Sequence, residues 1–285
     1  MKFRNPMLTA AAMFLAAGAV ACSSDLAGPP AIDDAQVSAD VAATSGEAVA
    51  SQIAGFTDNI TAAGSFTMVA PSYNVNTPGY GTSGQPSFGA VASNCSYAAG
   101  RYSCTATTEQ GLSVTRSFAF YDANGGSLQT FDSTKVESVN FHSQVDGSFQ
   151  RDVVWSAGVH RTHDVTVSGL ISAKPLRKWN GVGAGADTVS HIGLDGIRSL
   201  AGTAVDTVTN VVMPGKAATS QIPLSGTIVV VADYTASLQG ATGTASKQVT
   251  RRVVVTFDGT VTPQLKVGTL TCVLHLDTHS VDGCQ

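Results

Sequence analysis

The sequence predicts an all-β chain: a large antiparallel meander with one helix on its N-terminal side. Three observations carry that expectation. Charged residues make up 13% of the chain, about half the roughly 25% of an average soluble domain, which argues against charge-driven disorder. Aromatics are few (7%) and Gly is frequent, at 29 residues, a composition far from that of a Leu-, Glu- and Lys-rich helical bundle. Short Val-, Thr- and Phe-containing runs recur between Gly- and Asp-bearing turns, with no regular strand–helix alternation. At 285 residues the chain is long enough for one such domain, and its formal charge of −4 gives no footprint for nucleic acid.

The first segment stands apart from that domain. Lys2 and Arg4 precede an apolar run from Met7 to Val20, which ends in Ala19-Val20-Ala21-Cys22. A basic start, a short apolar stretch and small residues before a cut make an export signal; a spanning helix needs about 20 apolar residues. With Cys22 directly after Ala-Val-Ala, the segment resembles the lipobox of bacterial lipoproteins, Ala19 standing where Leu is commoner. The resemblance implies cleavage by signal peptidase II before Cys22 and attachment of acyl chains (palmitate-type) to Cys22. It implies a membrane partner reached through that lipid. Ser23, in place of Asp after the Cys, resembles the pattern for sorting to the outer membrane, facing the periplasm or the cell exterior. Losing Lys2 and Arg4 with residues 1–21 would take the net charge from −4 to −6.

Residues 22–43 mix Pro29-Pro30, Asp and small residues without an apolar period and read as a flexible tether. Over residues 44–64 the period becomes helical, with Val49, Ile53, Phe56 and Ile60 on one face. Thr44-Ser45-Gly46-Glu47 has the capping-box form and Gly64 is a natural stop. This helix has no Lys or Arg, so packing against the body is expected rather than lying on a membrane surface.

Residues 65–285 read as the antiparallel β domain, as an open or closed barrel-like curved sheet or a two-sheet sandwich. Pro71–Pro86 reads as an exposed loop. Leu112, Val114, Arg116, Phe118 and Phe120 alternate before a turn at Asp122–Gly126. Val139, Phe141, Ser143 and Val145 alternate before a second turn at Asp146-Gly147. Val153–Ser156 and His163–Val167 then flank Ala157-Gly158, and Gly181–Ala186 (GVGAGA) reads as a hairpin loop. Its GxGxG lacks the strand-before, helix-after setting that dinucleotide binding requires. Arg198–Val212, Thr227–Tyr234, Val249–Phe257, Val261–Val267 and Thr269–Thr278 complete the strands. Runs such as Val229–Val231 suggest strands covered on both faces. The stretches Phe118–Asp132 and Val253–Asp277 resemble exported β-proteins, a resemblance that implies no activity.

Four cysteines remain beside Cys22, an even number in an exported chain. A two-residue turn at Ala99-Gly100 sets Tyr97 opposite Tyr102 and Cys95 opposite Cys104, as non-hydrogen-bonded pairs within reach of a disulfide. Cys272–Cys284 would then pin the C-terminus. A four-Cys zinc site lacks any C-x₂-C pair.

Chemistry-bearing residues are sparse. On one extended strand His275, Asp277 and His279 share a face, a His/carboxylate/His set suited to a metal. Neighbours two apart are about 6.8 Å from each other and the two histidines about 13.6 Å, so all three meet one ion only if the strand bends near Thr278. His160, His163 and Asp164 (HRTHD) read as a turn or loop cluster, the two histidines facing opposite ways in a strand. Asp122–Gly126 starts like a calcium loop but carries Ser133 where the bidentate Glu belongs. No G-x-S-x-G, S-x-x-K or H-E-x-x-H is found, the glutamates Glu47, Glu109 and Glu137 are scattered, and no cofactor motif is present. The basic doublets Arg177-Lys178 and Arg251-Arg252 read as solvated surface. The leading expectation is a lipid-anchored cell-envelope β protein that binds a hydrophobic ligand or an envelope protein, or acts as a structural module. The alternative is a metal-dependent envelope enzyme using the C-terminal His/Asp strand.

Overall fold

The computed structural model describes residues 31–61, 95–109, 111–171, 176–193, 195–215 and 221–285. The expected positions of the export signal, Cys22, Gly64 and the Pro71–Pro86 loop lie outside these residues. The described chain is one helix and one sheet of thirteen strands. Helix α1 spans Asp34–Thr61. The strands are β1 (Cys95–Ala98), β2 (Arg101–Glu109), β3 (Leu112–Tyr121), β4 (Ser127–Leu128), β5 (Ser138–Asp152), β6 (Trp155–Ser168) and β7 (Leu176–Gly193). They continue with β8 (Gly196–Pro214), β9 (Ser225–Gly240), β10 (Gly243–Phe257), β11 (Gln264–Val267), β12 (Leu270–His275) and β13 (Ser280–Asp282). Sequential strands pair antiparallel from β1 to β13, with β4 as a side branch on β3. The meander is therefore all-β with one helix, and its sheet stays open.

Strand alternation shows which way the sheet faces. In β8, Leu200, Ala204, Asp206 and Val208 are buried while Ala201, Thr203, Val205 and Thr207 are exposed. Val231 is likewise exposed between buried Val230 and Ala232. The strands are thus covered on one face, not two. The cover is α1: Val37, Val41, Val49, Ile53 and Phe56 join one continuous core with residues of β3, β5–β12 and the segment before β5. Phe56 stacks on Trp179 with ring centroids 4.2 Å apart.

The helix begins ten residues before the expected Thr44, so residues 34–43 belong to it and not to a tether. Asp33 is its N-cap, its Oδ1 accepting the Ala35 N–H at 3.0 Å. The buried stripe runs Val37, Val41, Ser45, Val49 and Ile53, and polar Ser45 interrupts the apolar period that sequence reading follows. Thr44 does not cap; its hydroxyl donates to the Asp40 carbonyl one turn back at 2.9 Å. Gly46 is small because the sheet comes close: a Cβ there would overlap Val281 and crowd Leu265 and Leu274.

Two expected turns are strand interior. Asp146-Gly147 lies inside β5, and Gly147, at φ 144°, has no room for a side chain against the Gly111 carbonyl. Ala157-Gly158 lies inside β6, and the chain reverses at Val153-Val154 instead. Apolar residues at the true turn and glycines in the strands conceal this hairpin from a pattern reading. The GVGAGA segment is the middle of β7, paired on both sides with β6 and β8.

The expected hairpin at β1–β2 forms in the expected register, Cys95 opposite Cys104 and Tyr97 opposite Tyr102. Ala99 and Gly100 both take positive φ (51° and 81°), the backbone of a two-residue hairpin turn. Cys95–Cys104 and Cys272–Cys284 are both disulfide-bonded. At Asp122–Gly126 the Asp122 carboxylate accepts the N–H groups of Asn124 and Gly126, the chemistry of a turn.

Candidate functional site

Strand pairing aligns the inward-facing residues in rows under α1. One row runs Ser143, His163, Gly183, Asp206; the next Val145, Arg161, Gly185, Ala204; the third Val159, Asp187, Gly202, Tyr234. Between Trp179 and Asp187 the inward positions of β7 are Gly181, Gly183 and Gly185, so that stretch contributes no side chains. Larger side chains from β6 and β8 lean across the space: a Cβ on Gly183 would overlap Asp206 and His163, and one on Gly185 would overlap Arg161. The glycine alternation serves close packing in a central strand.

What leans in is charged. Arg161 and Asp187 are both buried and form a bidentate pair, with Nε 2.8 Å from Oδ1 and 3.0 Å from Oδ2 and Nη2 also on Oδ2. The Tyr234 hydroxyl donates to Asp187 Oδ2 at 3.2 Å. Burial and the Asp187 charge push the Tyr234 phenol above its ordinary range, so it remains a donor. One row away, Gln52 of α1 donates its amide to Asp206 Oδ2 at 3.4 Å. His163 Nδ1 is 3.8 Å from Asp206 Oδ1, beyond hydrogen-bond length. Burial holds the His163 imidazole below its ordinary pKa, against the pull of Asp206, so His163 is neutral at pH 7. The Arg161–Asp187 pair neutralises itself, and the Gln52–Asp206 bond locks the helix to the sheet at one register.

The rim holds a more open feature. Asp40, Ala43 and Thr44 of α1, Val189 and His191 of β7, and Arg198, Ser199 and Leu200 of β8 line a cleft of about 230 Å³. Arg198 faces Asp40 at 3.6 Å and Asp195 at 3.9 Å, and Ser199 shares a 2.6 Å hydrogen bond with Ser237. It can hold a small polar group.

The C-terminal candidates do not assemble as one strand. β12 ends at His275, the chain turns over Leu276–His279, and β13 returns. His275 Nε2 pairs with Asp282 at 3.2 Å. Asp277 accepts the Thr278 N–H at 3.0 Å, and His279 sits at φ 53° with its imidazole held low by burial. The bend needed near Thr278 exists, yet no group of three metal-ligating side chains forms among the described residues. The HRTHD residues are in β6, not in a loop. His163 faces inward, while His160 pairs with Asp146 and His142 with Asp164 on the outer face. Arg251 is no idle surface charge either: with Lys247 it binds Asp34, and it also reaches Ser38, holding the first turns of α1.

Sequence reading missed Arg161, Asp187, Asp206 and Tyr234. A signal was present: charged residues at inward parity beside the run Gly181, Gly183, Gly185, whose inward positions carry no side chain.

Comparison with family models, with curated proteins and with solved structures found no match to this chain. No described helix is long and apolar enough to cross a membrane. The two disulfides accord with an oxidising compartment outside the cytoplasm.

Proposed function

We propose that this chain is a lipid-anchored protein of the bacterial cell envelope whose β domain works by binding or as a structural module. Cys22 carries the lipid, and Ser23 directs the protein to the outer membrane. The observation that carries the module reading is the position of α1. The helix packs on the inner face of the sheet, where Arg161, Asp187, His163 and Asp206 are buried and Gln52 of the helix bonds Asp206. Among the described residues the space on the inner face is packed with side chains, which supports a partner at the surface over a hydrophobic ligand within the sheet. The surfaces left to meet a partner are the outer face and the rim cleft, which suit an envelope protein. Because α1 starts at Asp34, only residues 22–33 can serve as tether, reaching at most about 40 Å when extended.

The test is metabolic labelling with a clickable fatty acid, followed by membrane fractionation. Wild type should be labelled and sediment with membranes; Cys22→Ser should be unlabelled and released. A labelled Cys22→Ser protein would refute the anchor.

A further inference from the structure

The outer face of the sheet carries an apolar strip that the described residues leave exposed. Val182 on β7 is 53% exposed, Val205 on β8 50% and Val231 on β9 44%. Pairing places them in two adjacent rows, Val182–Thr207–Val229 and Ala184–Val205–Val231. Exposed Ala186 and Thr203 extend the strip along the strands. Charge flanks it with opposite signs. On the β5–β6 side stand Asp146 and Asp164, each with a histidine opposite; on the β10–β11 side stand exposed Arg252 and Lys266. Asp233 on β9 is the acidic residue within the strip, bonded to Thr250.

We propose that two copies of this chain pair back to back through the outer faces of β6–β10, about a twofold axis running along β8. Such an axis lays β8 on β8, β7 on the partner copy's β9, and β6 on its β10. Val205 then meets its own copy, Val231 meets Ala184, and Val229 meets Val182. Arg252 comes to Thr162, diagonal to Asp164, and Lys266 to His142 beside Asp164. Asp233 comes to Ala186, beside His160. The face is thus complementary to itself in charge, with apolar residues meeting apolar ones, as an isologous interface requires. Five strands about 4.8 Å apart and four side-chain rows about 6.8 Å apart bound the contact at roughly 650 Å² per copy. The total, at most about 1,300 Å², reaches the lower end of the roughly 1,200–2,000 Å² of stable interfaces.

The direction of the axis suits attachment to one surface. α1 runs in the same sense as β8, Asp40 reaching Arg198, Gln52 reaching Asp206, and Phe56 stacking on Trp179, which pairs with Val211. An axis along β8 therefore brings both Asp34 ends to the same end of the dimer. This last point rests on the proposed Cys22 anchor; the interface itself does not.

The experiment uses the full chain in detergent. Sedimentation equilibrium should show a dimer, and Val205→Asp should raise its dissociation constant at least tenfold with an unchanged far-UV spectrum. Under mild oxidation Val205→Cys should cross-link into a covalent dimer, whereas Val153→Cys, at an exposed hairpin tip, should not. Asp164→Lys should weaken the dimer and Arg252→Glu added to it should restore it. A monomeric wild type, or a dimer indifferent to Val205→Asp, would overturn the proposal; the second result would move the contact to an edge strand such as β1 or β13.

Discussion

Arg161 and Asp187 share a buried site where neither charge has water to fall back on. Removing one partner strands the other, which costs about 3–5 kcal/mol, whereas replacing both with apolar residues of similar volume is far milder. Arg161→Ala and Asp187→Ala should each lower urea-unfolding stability by that amount, and Arg161→Met/Asp187→Leu by clearly less. Equal loss in the double variant would show that the pair itself is the stabilising element. His163 gives the pH dependence. Its folded-state pKa lies below the ordinary value of 6.5, so the unfolded chain binds the proton first. Stability is present above about pH 6.5 and falls as pH drops from there toward the folded pKa. His279 is shifted the same way by burial, so the informative quantity is the difference between variants. His163→Leu should flatten the fall in unfolding midpoint between about pH 7.5 and pH 5.5; an unchanged slope would remove His163 from the account.

The elements differ in how openly the sequence declares them. The β1–β2 hairpin was legible because Cys95, Tyr97, Tyr102 and Cys104 alternate around a two-residue turn, and local chemistry decides such a register. The β5–β6 hairpin was not, because its turn is Val153-Val154 while Gly147 and Gly158 sit in strands for reasons of backbone approach. The Gly183 and Gly185 positions show the same limit: only the neighbouring strands reveal that His163, Asp206 and Arg161 need the space. The start of α1 was hidden by buried Ser45 and by Gly46, which contact with Leu265, Leu274 and Val281 keeps small. Gly46→Leu should therefore unseat α1 from Leu265, Leu274 and Val281, lowering stability by about 1–3 kcal/mol or more. Amide hydrogen exchange should show lost protection in α1 and β11–β13 with β5–β7 unchanged. Uniform loss across the sheet would mean the helix is not separately seated.

At the scale of the molecule, an open antiparallel sheet has two edges, and each is stapled. Cys95–Cys104 ties β1 to β2, and Cys272–Cys284 ties the chain end to β12. Loops this short contribute about 3 kcal/mol each in the chain-entropy model. Reduction should thus lower stability and open the edge strands before the long central ones. The two disulfides accord with an oxidising compartment and leave Cys22 as the remaining cysteine, the proposed site of the lipid. Whether Cys22 carries the proposed lipid is the most direct test of the anchor. Intact-mass analysis of the membrane-extracted protein should find a chain beginning at Cys22 and carrying acyl groups. A chain that retains residues 1–21, or begins at Cys22 without acyl groups, would contradict it.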